Sequence, residues 1–261
     1  KGMNVSYDYA GRIVLVTGGA SGIGRAVVEG FAAAGATVVL ADINAEAAAT
    51  TAAAVSGKVE PIAVDVSDPA AVQAAIDDII ARHGRLDIAV NNAGIEGHHV
   101  PLADLPTSDF DRLTAVNLGG VFHCLKAEIP AMLAGGGGAI VNTASASGLI
   151  GGYNLAIYTA TKHGVVGLTR AAAMDYGNKG IRINALCPGA IDTPFLAELP
   201  QPFLDRLKFG TPMDRLGRAD EMAQAVLWLC SDGASYVTGH ALAVDGGTVL
   251  GGMGTRFDDL I

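Results

Sequence analysis

The sequence is poor in cysteine, in aromatic residues and in positive charge. Its cysteines, Cys124, Cys187 and Cys230, are odd in number and widely spaced, which argues against a disulfide framework and predicts a reduced, cytoplasmic protein. Lysine and arginine total 17 against 26 acidic residues, a net charge of −9, so neither nucleic acid nor an anionic membrane surface is expected as a partner. The sequence contains no apolar run long enough to cross a bilayer and no signal peptide, so no membrane partner is expected either.

Glycine and small apolar residues are abundant instead. The chain of 261 residues contains 35 glycines, and half of its residues are hydrophobic although only 5% are aromatic. Such a composition favours close packing of helices on a sheet. The length is that of one large domain, predicted to span residues 1–261. Lys1 and Gly2 precede Met3 and are expected to be foreign to the natural chain.

Strand and helix patterns alternate along the whole chain. Short apolar runs predict buried strands at 12–17, 37–41, 59–64, 86–90, 139–142, 181–186 and 241–244. Helical patterns separate them, including one over 107–133 interrupted at Gly119 and Gly120, one over 155–176 and one over 219–230. We expect the 181–186 strand to end before Cys187, and residues 193–217 to form a partly helical flap. This order predicts an α/β fold with a doubly wound parallel sheet and helices on both faces.

A glycine-rich turn joins the first strand to the first helix. Gly18, Gly22 and Gly24 have the spacing G-x-x-x-G-x-G. Glycine lets the backbone approach a pyrophosphate, and the N-terminus of the helix offers free amides and a positive dipole end. An isolated glycine cluster is more often an ordinary turn, but the flanking strand and helix favour a dinucleotide site.

Asp42 ends the second predicted strand and bears on the choice of cofactor. A carboxylate there can accept hydrogen bonds from the adenosine ribose and would repel a 2′-phosphate. Ile43 follows it, and the only cation nearby, Arg25, is ambiguous because it lies just inside the first helix. The pattern favours NAD. The alternative is that Asp42 only serves a strand-end turn.

Tyr158 and Lys162 lie four residues apart in a predicted helix, with Ser145 upstream at the end of a predicted strand. That spacing places the tyrosine and the lysine on one helix face. A nearby ammonium favours the phenolate and is therefore expected to lower the pKa of Tyr158 toward operating pH. The chemistry indicated is interconversion of an alcohol and a carbonyl, with hydride transfer to a nicotinamide. Taken alone, the Tyr-x-x-x-Lys pattern is more often an exposed helix face.

Together these motifs resemble the classical short-chain dehydrogenase/reductase family over nearly the whole chain. The resemblance rests on TGGASGIG at 17–24, Asp65-Val66, NNAG at 91–94, Asn117, Ser145, Tyr158-x-x-x-Lys162 and Pro188-Gly189. It implies a Rossmann-like sheet of about seven strands and assembly usually as a homotetramer, or sometimes as a dimer.

The resemblance also implies roles for individual residues. The catalytic set would be Tyr158 as general acid/base, Ser145 polarising the substrate oxygen, Lys162 and Asn117, with Ser147 as the only rival to Ser145. Asn117 would hold a water that links Lys162 to solvent. The implied cofactor contacts are Gly18, Ser21, Gly22, Ile23, Gly24, Asp42, Asp65, Val66, Asn91, Ala93, Gly94, Tyr158, Lys162, Pro188, Gly189, Ile191 and Thr193.

The sequence says less about the substrate than about the cofactor. Glu96, His98 and His99 follow the NNAG motif and are expected to line the pocket rim, because their spacing fits no standard metal site. The flap carries Phe195, Leu196, Leu199, Phe203, Leu204 and Phe209, which predicts an apolar or cyclic alcohol or ketone. Two alternatives stay open at this point: a ketoreductase of acyl chains that uses the phosphorylated cofactor, and a dinucleotide-binding regulator without catalysis.

Overall fold

The computed structural model describes residues 5–194, 196 and 200–250, apart from the side chain of Phe203. Its main sheet contains β1 (Ile13–Thr17), β2 (Thr37–Asp42), β3 (Lys58–Ala63), β4 (Ile88–Asn91), β5 (Gly138–Thr143), β6 (Ile181–Pro188) and β9 (Ala241–Val244). These seven strands are all parallel and run in the order β3-β2-β1-β4-β5-β6-β9. The predicted doubly wound parallel sheet is confirmed.

Helices cover both faces of this sheet. They are α1 (Gly22–Ala33), α2 (Ala45–Ala54), α3 (Pro69–His83), α4 (Thr107–Leu113), α5 (Gly120–Ala134), α6 (Ala156–Tyr176), α7 (Gln201–Phe209) and α8 (Ala219–Cys230). Among the residues that the structure describes, no helix is both long and apolar enough to cross a membrane.

The strand residues divide between two hydrophobic cores because successive side chains point to opposite faces of the sheet. In β1, Ile13 and Leu15 enter the core that includes residues of α3, α5 and α6, whereas Val14 and Val16 enter the core that includes residues of α1 and α8. Every residue of β1 is buried. Burial on both faces explains why the strands read as continuous apolar runs.

Three local predictions need correction. The strand predicted over 181–186 continues through Cys187 and Pro188, because Pro188 pairs with Val244 and Gly189 donates its amide to the Val244 carbonyl. The helix predicted over 107–133 is not broken at its glycines; a π-helical turn, Thr114–Gly119, joins α4 to α5. At the two ends of the segment predicted as a flap, Ile191–Asp192 (β7) and Gly217–Arg218 (β8) form a small parallel pair that the sequence did not predict.

The strand order places the chain reversal between β1 and β4. From β1 the chain moves outward to β2 and β3, then returns to the other side of β1 as β4. A crevice opens at the carboxyl ends of the strands at such a reversal, and ligands of open α/β sheets bind there. Asp42 is the last residue of β2, and Gly18, Asp65, Asn92 and Ser145 follow strand ends on the same side.

Candidate active site

The glycine turn after β1 has no space for side chains. Gly18 has a positive φ of 62°, and a Cβ there would lie 2.8 Å from the Cα of Ala93. A Cβ on Gly24 would collide with the carbonyl oxygen of Gly18. These contacts bring the turn against the segment after β4 and bring the start of α1 close to the end of β1. The geometry is that of a turn on which a pyrophosphate can lie close to backbone amides.

The N-terminus of α1 is open to a ligand. Ser21 occupies the N-cap position, but its side chain makes no capping hydrogen bond to the helix amides. Ile23 is half-buried, and Thr193 lies over the turn, because a Cβ on Gly22 would lie 3.5 Å from the Thr193 side chain. Uncapped amides at the positive end of a helix suit an anionic group, so these residues fit the phosphates of a dinucleotide.

Asp42 faces the glycine turn from the end of β2. One carboxylate oxygen accepts the amide of Ala20 at 3.1 Å, and the other accepts the amide of Asn44 at 3.0 Å. Arg25 donates its Nε to Glu29 at 2.9 Å on the exposed face of α1. The carboxylate therefore sets the charge of this part of the crevice, and the neighbouring cation is already paired.

Asp65 and Val66 follow β3, but they differ in exposure. Asp65 is half-buried and accepts both the amide and the hydroxyl of Ser67 through one oxygen. Val66 is buried against Gly120, where an added Cβ would lie 2.7 Å from its Cγ2. His123 holds the Val66 carbonyl through a 3.0 Å hydrogen bond. The segment is fixed at the edge of the crevice where an adenine ring would lie.

The segment after β4 is locked to β1. The hydroxyl of Thr17 accepts the amides of Asn92 and Ala93 at 3.0 and 3.2 Å. Asn92 donates its side-chain amide to the Gly18 carbonyl at 3.1 Å. Sequence reasoning had given Asn92 no role, although its place in the NNAG motif was a signal. It joins the two halves of the crevice.

Asn91 is placed differently from its predicted neighbours. Its side chain is buried below the crevice and donates to Glu128 and Asn142, each at 3.0 Å. It therefore does not line the cleft with its side chain. Sequence reasoning missed this polar cluster, although Glu128 interrupts the apolar stripe of α5 four residues after Cys124.

Asn117 lies in the π-helical turn and is fully buried. Its side chain accepts the amide of Ile95 at 2.8 Å and donates to the carbonyl of the same residue at 2.9 Å. Both ends of the amide are thus used to hold the main chain just after Gly94. The predicted contact of Asn117 with a water stays a prediction, because the amide nitrogen has a second hydrogen and the oxygen a second lone pair. π-Helical turns occur often at functional sites.

The hydroxyl groups of Tyr158 and Ser145 lie close together. Ser145 accepts the amide of Ser147 at 3.1 Å, so Ser147 supports Ser145 through its main chain. Burial raises the pKa of Tyr158 to about 12, the nearby hydroxyl of Ser145 acts in the opposite direction, and the negative charge of Glu96 raises it further. The predicted lowering of this pKa is wrong, because desolvation outweighs the favourable interactions.

Lys162 lies one helical turn beyond Tyr158 and is almost fully buried. Its ammonium group donates to the carbonyl oxygen of Thr143 at 2.9 Å and lies 5.6 Å from the centre of the Tyr158 ring. Desolvation lowers the pKa of Lys162 to about 8, and Cys187 opposes that shift. A Cβ on Gly94 would lie 3.5 Å from the ammonium and 3.3 Å from Asn117 Oδ1. The predicted catalytic groups thus converge beside the cofactor crevice.

The predicted cofactor contacts at the end of β6 and just beyond it have side chains that are mostly buried or absent. Pro188 is buried, and Gly189 is packed so closely on Asp245 that an added Cβ would lie 2.8 Å from the Asp245 Cα. Ile191 points into the core with 4% of its surface exposed. Of the predicted nicotinamide contacts in this segment, only the half-buried Thr193 lies next to the glycine turn.

A small cleft beside Tyr158 is lined mainly by apolar groups, with His98 and Asp109 as its polar members. Its other lining residues are Gly97, Leu105, Leu113, Leu155, Ala156 and Ile157. Glu96 pairs with His99 at 3.2 Å, and His98 bonds to Asp109 at 3.0 Å. In the described parts of the chain, no group of three or more His, Cys, Asp or Glu side chains is placed to hold a metal ion.

Some predictions concern residues outside the described ones. Phe195, Leu199 and the side chain of Phe203 belong to the predicted apolar flap. Within the described flap, Leu196 and Leu204 are half-buried and Phe209 is exposed.

Comparisons with known proteins agree with this geometry. A family model described as enoyl-(acyl carrier protein) reductase matches residues 18–249. The 2,5-dichloro-2,5-cyclohexadiene-1,4-diol dehydrogenase of Sphingobium indicum is 45% identical over 92% of this chain and 98% of its own length. The cyclohexanol dehydrogenase of an Acinetobacter species is 43% identical over 93% and 96%.

Solved structures show the same fold. The crystal structure of a levodione reductase superposes with a TM-score of 0.90 at 41% identity, covering 93% of this chain and 99% of that one. The crystal structure of a 3-ketoacyl-(acyl-carrier-protein) reductase from Brucella melitensis, complexed with NADH, gives 0.88 at 36% identity over 92% and 99%. These relatives are oxidoreductases, and their similarity extends over the whole crevice.

Proposed function

Because this chain belongs to the classical short-chain dehydrogenase/reductase family, we propose that it uses NAD to interconvert a secondary alcohol on an apolar ring with its ketone. The chain is an oxidoreductase of alcohols and ketones that works with a nicotinamide dinucleotide. The proposal concerns the form of the cofactor, the kind of substrate and the roles of the residues.

The proposed chemistry needs one proton acceptor and one hydride acceptor. A nicotinamide held in the crevice would supply the acceptor for the hydride of the carbinol carbon. Tyr158, as phenolate, takes the hydroxyl proton of the alcohol, and it returns a proton to the carbonyl oxygen in the reverse direction. Ser145 donates a hydrogen bond to the same oxygen. Lys162, with a lowered pKa, supplies positive charge and a donor beside the crevice.

One observation carries the proposal: the hydroxyl of Ser145 lies near enough to that of Tyr158 to lower its pKa, and Lys162 is held one helical turn away beside the dinucleotide crevice. Two hydroxyl groups so placed can both reach a single substrate oxygen. Lys162 lies one turn further along α6 and next to Gly94 of the crevice wall. A nucleotide-binding protein without catalysis has no need of this arrangement.

The choice of NAD rests on Asp42. Its carboxylate lies at the end of β2 and bonds to the amide of Ala20 in the glycine turn. A ribose 2′-phosphate placed there would meet a negative charge, and Arg25 is paired with Glu29. An NAD-named relative, the 2-dehydro-3-deoxy-L-rhamnonate dehydrogenase of a Sphingomonas species, is 41% identical to this chain.

The apolar side chains beside Tyr158 support the proposed substrate class. Leu105, Leu113, Leu155 and Ile157 present hydrocarbon surface there, and apolar walls favour a substrate with few charges. Several relatives are named for six-membered rings, among them cyclohexanol dehydrogenase and levodione reductase. Both observations favour a cyclic alcohol over a charged hydroxy acid.

Homotetrameric assembly and a cytoplasmic location complete the proposal, together with a single domain for residues 1–261. The family's usual assembly supports the tetramer, as do the exposed side chains of Phe110, Phe122 and Met174 on α4, α5 and α6. The cysteines, which are free and buried, support a reducing compartment. Light scattering should give four times the 26.4 kDa of one chain; a monomer in solution would refute this assembly.

The test is a panel of secondary alcohols assayed in parallel with NAD and with its phosphorylated form. We expect turnover of cyclohexanol and related cyclic alcohols with NAD and at least about tenfold lower kcat/KM with the phosphorylated cofactor. Turnover confined to charged hydroxy acids would refute the proposed substrate class. Tight binding of reduced NAD without turnover of any alcohol or ketone in the panel would count against catalysis by Tyr158.

A further inference from the structure

Glu128 is a carboxylic acid in an unusual place. It lies in the middle of α5, none of its surface is exposed, and it faces a polar cluster inside the hydrophobic core. Asn91 at the end of β4 donates its amide nitrogen to Glu128 Oε2 and to Asn142 Oδ1, each at 3.0 Å. Asn142 donates to the hydroxyl of Thr169 on α6 at 3.0 Å. The cluster therefore links α5, β4, β5 and α6.

Two acceptor atoms in this cluster lack donors. Within the described part of the chain, Glu128 Oε1 and Asn91 Oδ1 are both buried and have no hydrogen-bond partner. These oxygens belong to the carboxyl group of Glu128 and the side-chain amide of Asn91, which are already joined by the hydrogen bond from Asn91 Nδ2 to Glu128 Oε2. An ionised carboxylate can only accept hydrogen bonds, so it leaves Glu128 Oε1 and Asn91 Oδ1 without donors. It also leaves a negative charge without compensation in the core.

A single proton resolves both defects. On Oε1 it turns an acceptor into a donor, and Asn91 Oδ1, in the group already bonded to Oε2, is an acceptor that lacks one. A carboxylic acid and an amide joined in both ways form a cyclic pair, in which each group donates once and accepts once. We propose that Glu128 is a neutral carboxylic acid that donates to Asn91 and thereby closes a buried network that positions the catalytic groups.

The surroundings of Glu128 contain no compensating cation among the described residues. On its own helix Cys124 is its titratable neighbour, buried one turn away, and Lys126 is exposed. On α3, Asp77, Asp78 and Arg82 are exposed; on α6, Arg170 is exposed and Lys162 is bonded to Thr143. Burial raises the pKa of Glu128 to about 7, which the bond from Asn91 only partly opposes.

The network reaches the catalytic groups through short stretches of backbone. Asn91 directly precedes Asn92, Ala93 and Gly94 of the cofactor wall. Asn142 directly precedes Thr143, whose carbonyl oxygen holds Lys162, and Ser145 follows two residues later. Glu128 is thus a positioning residue that acts through these strand ends. This part of the inference rests on the proposed function, whereas the protonation of Glu128 does not.

The protonation can be measured on the cofactor-free protein by infrared difference spectroscopy of wild type minus E128Q. We expect the carbonyl band of a protonated carboxylic acid at pH 5.5, its loss as the pH is raised to 8.5, and its absence from E128Q at any pH. The glutamine of E128Q retains one donor and one acceptor and so imitates the neutral acid. Only carboxylate bands from Glu128 at pH 5.5 would overturn the proposal.

Thermal unfolding gives an independent measure. Because the pKa of Glu128 is raised in the folded state, its stabilising contribution is full below the ordinary value of 4.5 and is lost as the pH rises through about 7. The glutamine of E128Q does not ionise, so E128Q cannot lose this contribution. The melting temperature of E128Q relative to wild type should therefore rise by about 5 °C between pH 5 and pH 8. The control E46Q, at an exposed position of α2, should show no such trend.

Kinetics tests the positioning role. E128L removes the hydrogen bonds and should lower kcat by up to about 10²-fold, whereas E128Q should keep a kcat near that of the wild type. E128L with wild-type kcat would overturn the positioning role, even with the acid band present. A wild type that turns over no alcohol but shows the band would contradict the proposed function and leave the neutral acid established.

Discussion

The ammonium group of Lys162 donates a 2.9 Å hydrogen bond to the carbonyl oxygen of Thr143, two residues before Ser145. This bond joins the helix that carries Tyr158 to the strand that ends two residues before Ser145. It also directs the lysine charge toward the end of β5, 5.6 Å from the centre of the tyrosine ring. Burial raises the pKa of Tyr158, and the lysine does not offset that effect.

Replacing Tyr158 with phenylalanine removes the proposed acid/base and keeps the ring. We expect Y158F to lose at least about 10²-fold in kcat and to bind reduced NAD with unchanged affinity, measured by fluorescence titration. Tyr236, which is fully exposed, provides the matched control, and Y236F should keep wild-type kinetics. Full turnover by Y158F would show that another group transfers the proton.

Removing the charge of Asp42 should relax the discrimination between cofactors. D42N keeps a side chain of the same shape but no longer repels a 2′-phosphate, so the ratio of kcat/KM for the phosphorylated cofactor to that for NAD should rise about tenfold or more. D68N changes an exposed carboxylate that caps α3, and it should leave this ratio unchanged. An unaltered ratio in D42N would assign the discrimination to other residues.

Glu96 should influence the pH dependence of oxidation. Its negative charge raises the pKa of Tyr158, so its removal favours the phenolate, which is the form that accepts the proton. The rising limb of kcat/KM against pH should move to lower pH in E96Q, by about half a unit for a partly screened charge. E46Q makes the same chemical change on α2 and should not move it. A shift to higher pH in E96Q would contradict the sign of this interaction.

Two glycines of α1 should respond differently to alanine. In G24A the added Cβ collides with the Gly18 carbonyl oxygen, so the turn must shift, the stability should fall by about 1–3 kcal/mol, and NAD should bind at least tenfold more weakly. In G30A the Cβ lies 3.1 Å from the movable Cδ1 of Leu227. The higher helix propensity of alanine offsets that contact, so the stability of G30A should stay within about 1 kcal/mol of wild type. Denaturant titration and calorimetric binding of NAD distinguish the two.

The sequence predicted the elements whose signal is local. Buried strands appear as apolar runs because both faces of the sheet are covered, and the four-residue spacing of Tyr158 and Lys162 is itself a helical turn. The glycine turn was recognisable because Gly18 and Gly24 meet within one short segment.

Other features depend on contacts between distant segments. The partner of Lys162 is a carbonyl oxygen on another element, and the burial that raises the pKa of Tyr158 exists only in the folded chain. The inward direction of Asn91 follows from the strand register and not from the NNAG motif. Pro188 favoured the end of a strand, yet Val244 pairs with it in the parallel sheet.

The strand order also has a consequence for how the chain folds. β1 and β4 are neighbours although β2, β3 and their helices lie between them in the sequence. Thr17 pairs with Asn91, so the glycine turn and the wall opposite to it meet only after a long loop has closed. Pairing at such separations is slow to form. A nascent chain that has made the glycine turn still has no crevice, and it acquires one only when β4 docks.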